Sequence, residues 1–95
     1  MSSIVVADAG PLHYLILIGC GEILGNLFDH VLVPLAVRDE LLHPRAPQEV
    51  KAWILSAPRW LEITPVSKSQ PVRGLHKGET EALQLALERR ADAVC

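Results

Sequence analysis

The sequence of 95 residues is short of most features that would decide its function at once. It has two cysteines, Cys20 and Cys95. Two thiols cannot form a disulfide framework, so the chain reads as a protein of a reducing compartment, and we place it in the cytoplasm. It has no long apolar run: the longest, Leu15 to Ile18, falls far short of the ~18 residues that a membrane helix needs. No Lys or Arg precedes Leu12 and Asp8 interrupts the start, which argues against a signal peptide. It has no excess of positive charge. Nine basic against 11 acidic residues give a net charge of −2, so contact with nucleic acid needs a local patch or a metal. Glycine-rich phosphate loops are absent, because Gly19-Cys20-Gly21 does not follow a strand. His13, His30, His43 and His76 lack metal-ligand spacing, and no serine sits in a nucleophile elbow. Aromatics make up only 4%. Trp53 and Trp60 could stack on bases, and packing against a sheet is the alternative.

An apolar fraction of 49% with 21% charged residues describes a globular chain rather than a disordered one. There is room for one small domain, and a core of that size is marginal enough to invite a partner subunit. Ser3 to Ala7 is a β-branched run without alternation, as expected of a parallel strand buried on both faces. Pro11 suits the first turn of a following helix, and Gly19 suits its end. Val31-Leu32-Val33-Pro34 is a second buried strand, and Leu61 to Thr64 is an alternating one. Helical spacing is predicted over Glu22 to Leu27, Leu35 to Leu42, Glu49 to Ala57 and Gly78 to Arg90, with a last strand beginning in Ala91 to Cys95. Ser67 to Gly74 reads as a loop. The order β-α-α-β-α-α-β-α-β predicts an α/β domain: a Rossmann-like three-layer α/β/α sandwich around a central parallel sheet.

Ligands of open α/β sheets bind beyond the carboxyl ends of the strands, where Asp8 lies. Asp8 could serve there as a helix N-cap or as a site residue. Glu40 falls in an otherwise apolar helix beside Asp39, and Glu79 and Glu81 open the last helix, where the helix dipole alone would favour them. Positions 79 and 81 differ by ~200° on an ideal helix, so both reach one site only if Glu79 is at the cap and Gly78 lets the chain turn. Carboxylates without Cys or His spacing suit Mg²⁺ or Mn²⁺, and so metal-assisted phosphodiester hydrolysis.

Asp8-Ala9-Gly10-Pro11-Leu12 with Leu15 and Ile18-Gly19 resembles the opening of PIN-domain proteins, closest to the small prokaryotic subgroup of VapC-like toxins and nucleic-acid-binding proteins. Val33-Pro34, Val37 and Glu40-Leu41 resemble the second acidic motif of that subgroup. Leu75-His76-Lys77-Gly78-Glu79-Thr80-Glu81-Ala82-Leu83, continued by Leu85-Ala86, resembles the third. The resemblance implies a divalent-metal endoribonuclease, in some members the toxin of a toxin–antitoxin pair, with RNA as substrate, an antitoxin protein as partner and a homodimeric state. Carried over by position, Asp8 and Glu40 match the first two metal-binding acids. The third falls on Glu79, Glu81 or both, and Gly-Glu-x-Glu-Ala is also similar to the pattern of the flap nucleases. Asp39 matches no family acid and reads as solvated. Lys77, Arg73 and Arg45 are the cations available to RNA phosphates. Family members continue past the strand equivalent to Ala93-Val94 with further aspartates, so residues 1–95 read as a single domain incomplete at its C-terminus. The alternative is a catalytically inactive PIN-like module that binds nucleic acid or protein. A receiver-like or flavodoxin-like domain would also place an aspartate after its first strand, but the remaining signals of those folds are missing.

Overall fold

A computed structural model of the chain describes residues 3–66 and 74–95. The elements appear in the expected order: β1 (Ile4–Val6), α1 (Ala9–Leu17), α2 (Ile23–Leu27), β2 (His30–Pro34), α3 (Leu35–Leu41), α4 (Gln48–Leu55), β3 (Leu61–Thr64), α5 (Lys77–Arg89) and β4 (Ala93–Val94). The boundaries move by one or two residues from those read in the sequence. Most of the loop assigned to Ser67–Gly74 lies outside the described residues.

The sheet is parallel throughout, in the order β3-β2-β1-β4. The chain steps outward from β1 to β2 to β3, then returns to the other side of β1. Parallel crossovers keep one hand, so reversing the direction of travel moves the connecting helix to the opposite face. Two cores result. Val5, Val31, Val33 and Leu61 point to the face covered by Leu12 and Ile16 of α1, Leu24 of α2, Val37 and Leu41 of α3, and Val50 and Ile54 of α4. Val6 and Leu32, offset by one residue, point to the other face and meet Ala82 and Leu85 of α5. The alternation of a strand therefore assigns neighbouring residues to different cores. Both faces of β1 and β2 are apolar, which is why these runs show no polar alternation. Strand β3 lies at the edge, and its Glu62 is exposed.

Helix α1 ends as the sequence suggests. Gly19 takes φ +77°, its N–H donates to the Ile16 carbonyl at 3.0 Å, and the Cys20 N–H donates to Leu15 at 2.7 Å. This Schellman arrangement satisfies the last carbonyls and favours glycine. At the amino end of the sheet, two carboxylates tie strands together. Asp92 accepts the Ile4 N–H at 2.7 Å and joins β4 to β1. Asp29 accepts the Ser3 N–H at 2.8 Å, and the Ser3 N–H and hydroxyl hold its carboxyl below the usual range. Both acids work at the end of the sheet opposite Asp8.

Trp53 and Trp60 pack rather than stand free. Their ring centroids lie 6.1 Å apart with planes tilted by 56°, and both rings rest on the first core. The Trp60 indole fills the space that a Cβ on Gly25 of α2 would need. Leu15 and Ile54 likewise turn to the core, leaving Tyr14, Leu17 and Ile18 exposed on α1. Among the described residues no helix is long and apolar enough to cross a membrane.

Candidate active site

Strand β1 sits where the chain reverses direction, with β2 on one side and β4 on the other. The crevice beyond such a strand is the usual ligand position of an open α/β sheet. Asp8 is the residue placed there. It is the N-cap of α1, its Oδ1 accepting the Ala9 N–H at 2.8 Å. Its own N–H donates to the carbonyl of Cys95 at 2.6 Å. Burial, and then the Asp8 charge, push the Cys95 thiol above its usual range. The cap role thus orients Asp8 and is compatible with a role in a site.

Glu40 comes from the last turn of α3, which packs on α5. Its carboxylate lies over the first turn of α5, with Oε1 occupying the space that a Cβ on Gly78 would fill. The side chain is 41% exposed, yet lost hydration is the main cause that raises the Glu40 pKa. His76 pulls it down, and the charges of Asp8 and Glu79 push it further up. Carboxylates from the N-cap of α1, from α3 and from α5 therefore share one electrostatic field.

The first turn of α5 departs from the sequence reading in two respects. Its N-cap is His76, not Glu79, and Gly78 lies inside the helix without a positive φ. Gly78 therefore does not serve to turn the chain; its lack of a side chain makes room for Glu40. The condition under which Glu79 and Glu81 would reach one site, Glu79 at the cap with a turn at Gly78, is not met. Glu79 turns to His76, its Oε1 2.9 Å from Nε2. Glu81 is buried, and its Oε1 accepts the Ala36 N–H at 3.1 Å. Helix α3 has no side-chain cap of its own, because Pro34 occupies the N-cap position. Glu81 supplies an acceptor and a negative charge to that helix start from a distant part of the chain.

This geometry sets a stability expectation. Glu81→Ala leaves the Ala36 N–H buried without its acceptor and should cost about 1–2 kcal/mol. Glu81→Gln keeps an oxygen in place and should cost clearly less. Urea unfolding of the two variants measures the difference; equal losses would show that the carboxylate acts through its charge rather than through this hydrogen bond.

Of Lys77 and Arg45, the two candidate cations among the described residues, Lys77 is the one next to the acids. It joins Ala36, Asp39, Glu40 and His43 around an open pocket of about 310 Å³. Arg45 is exposed in the segment after α3, where its N–H donates to His43 Nδ1 at 3.0 Å. Arg73 lies outside the described residues. Asp39 is exposed as expected and pairs with Arg38 at 3.0 Å, but it also borders the pocket. The sequence reading weighed His43 and His76 only as metal ligands, and gave neither a role in the site. The His76–Glu79 spacing, an N-cap followed by Glu at the third helical position, was the available signal.

Among the described residues no three Asp, Glu, His or Cys side chains form a ready-made metal cage. The donors present are nonetheless hard oxygens, and Gly78 provides a cradle without a Cβ for one of them. Mg²⁺ commonly takes only one or two protein carboxylates and keeps several waters, so one or two of Asp8, Glu40 and Glu79 suffice for such an ion.

No curated protein and no solved structure matches the chain significantly. A family model described as PIN domain matches residues 4–95. Because that match runs from the first strand to the last residue, the chain belongs to the PIN-domain family, a family of nuclease type that generally uses a divalent metal and acts on nucleic acid.

Proposed function

We propose that the protein is a divalent-metal-dependent endoribonuclease using Mg²⁺ or Mn²⁺. The observation that carries this reading is the seating of the Glu40 carboxylate against Gly78, facing the charges of Asp8 and Glu79 at the carboxyl end of the sheet. Negative charges gathered at a cost in hydration call for a cation. A divalent ion there supplies a water of lowered pKa and offsets negative charge on the phosphate. Asp8, oriented by the Ala9 N–H, Glu40 and Glu79 are its proposed ligands, and Glu81 completes the acidic set from beneath through its hold on α3.

Lys77 supports a phosphate-contact role. A cation in the first turn of a helix opposes the helix dipole, so its position does not favour the helix and suits an anionic ligand. Arg45 and Arg73 belong to the same proposed RNA contact. Toxin activity within a toxin–antitoxin pair, a homodimer and a cytoplasmic location are part of this proposal. Tyr14, Leu17 and Ile18 on α1 with Ile23 and Leu27 on α2 offer the apolar surface that a protein partner would cover.

The test is a Mn²⁺ titration of the wild type and Asp8→Asn, followed by RNA cleavage with and without Mn²⁺. Asparagine keeps an oxygen for the Ala9 N–H, so the cap survives. Affinity should fall at least about 10-fold, by analogy with the loss of groups that support a bound metal. Equal affinity in the two proteins would remove the proposed site and favour an inert binding module.

A further inference from the structure

We propose that His76 is a positioning residue that sets the Glu79 carboxylate relative to Glu40; this rests on the metal-site reading above. Imidazole is not among the favoured N-cap side chains, which are Ser, Thr, Asp and Asn. Here His76 occupies the N-cap of α5, and Nδ1 accepts the Glu79 N–H at 3.4 Å. The same ring places Nε2 2.9 Å from Glu79 Oε1 and Nδ1 3.4 Å from Glu40 Oε1. Nε2 can donate to Glu79 while Nδ1 accepts the Glu79 N–H; Nδ1 then has no proton for Glu40 Oε1, which is a neighbour of the ring and not its hydrogen-bond partner.

The contrast with an ordinary capping box locates the function. In that motif the Glu at the third helical position reaches back to the backbone N–H of the cap residue. In this protein Glu79 instead meets the side chain of the cap residue. One rigid, planar group thus holds the Glu79 carboxylate while standing 3.4 Å from that of Glu40 on another helix. Gly78 allows the arrangement, since a Cβ there would also press on His76 Cε1 at 3.2 Å. A serine or asparagine would cap the helix as well or better but could not span the gap. The sequence therefore accepts a weaker cap in return for an orienting contact, as is typical of groups one step removed from a metal.

Mn²⁺ binding followed by electron paramagnetic resonance tests this with four proteins: wild type, His76→Asn, Glu79→Gln and the double variant. Asp8→Asn serves as the control for the site itself. His76→Asn preserves a cap, so thermal unfolding should stay at or above the wild-type midpoint. Its Mn²⁺ affinity should fall roughly 10-fold. In the Glu79→Gln background the same change should have little further effect, since His76 acts through Glu79. If Asp8→Asn weakens binding and His76→Asn does not, the positioning role is overturned while the metal reading stands. If His76→Asn costs the same with and without Glu79, His76 does not act through Glu79 and the inference is likewise overturned. If the wild type and Asp8→Asn bind Mn²⁺ equally, the metal reading itself fails and this inference falls with it.

Discussion

Glu40→Gln is expected to reduce metal-dependent RNA cleavage on the order of 10²–10³-fold, the scale seen when one preorganised electrostatic group is removed from an active site. The same variant is expected to be at least as stable as the wild type. The folded protein raises the Glu40 pKa, mainly by lost hydration, with Asp8 and Glu79 adding to it against His76. The native state then binds the proton more tightly than the unfolded chain. Stability therefore falls as pH rises from the ordinary glutamate value through the raised one, and the penalty persists above that window. Glutamine removes the penalty. Unfolding midpoints of the two proteins should agree near pH 4, and the variant should lead at neutral pH. Gly78→Ala provides an independent check with the Glu40 side chain intact. Alanine favours a helix interior by ~1 kcal/mol over glycine. Its Cβ takes the place of Glu40 Oε1, the far end of a flexible side chain that can rotate away. The fold should survive, while a displaced carboxylate should cost about 10²-fold in cleavage. Full activity in Gly78→Ala would show that the seat is not needed.

Gly25→Ala is expected to destabilise the fold by roughly 2–3 kcal/mol, the upper part of the usual range for overpacking. Gly25 lies in α2, where alanine would normally help, so the predicted loss runs against helix propensity. The obstacle is the Trp60 indole, whose five-membered ring, from Nε1 to the fused edge, crowds the would-be Cβ. That ring cannot retreat cheaply, because Trp53 lies against it and the Trp60 carbonyl accepts the Val31 N–H at 2.9 Å. Gly10→Ala in α1 is the matched control. Apart from its chain neighbours nothing lies within 4 Å of its would-be Cβ and its φ is not positive; the Pro11 ring that follows disfavours a helical alanine there, so the loss should be small and well below that of Gly25→Ala. Denaturant unfolding of the two variants compares them directly. Similar stabilities would mean that the Trp53–Trp60 pair is loosely held.

How much of this was legible differs between fold and site. The unbroken apolar runs at Ile4–Val6 and Val31–Val33 announced strands buried on both faces, and Pro11, Gly19 and Pro34 marked where elements begin and end. These signals are local, carried by the dihedral preferences and periodicity of a few neighbouring residues. Asp8 was legible for the same reason, since a residue that ends the first strand of a parallel sheet must lie at its carboxyl edge. Glu40 was identified by resemblance, because nothing in its own helix sets it apart from Asp39. The role of Gly78 was not legible, since a glycine that admits a distant side chain looks the same in sequence as one that frees the backbone.

By itself, then, the sequence determined the order of elements, the parallel sheet, the two-faced core and the acid at the end of β1. These follow from interactions between residues close in the chain, together with the fixed hand of parallel crossovers. The packing of α3 across α5 decided the rest. It brought Glu40 against Gly78 and His76, and Glu81 to the buried start of α3. Periodicity says that two residues ~200° apart face different ways. Only the contact between two helices some 40 positions apart in sequence says what each of them faces.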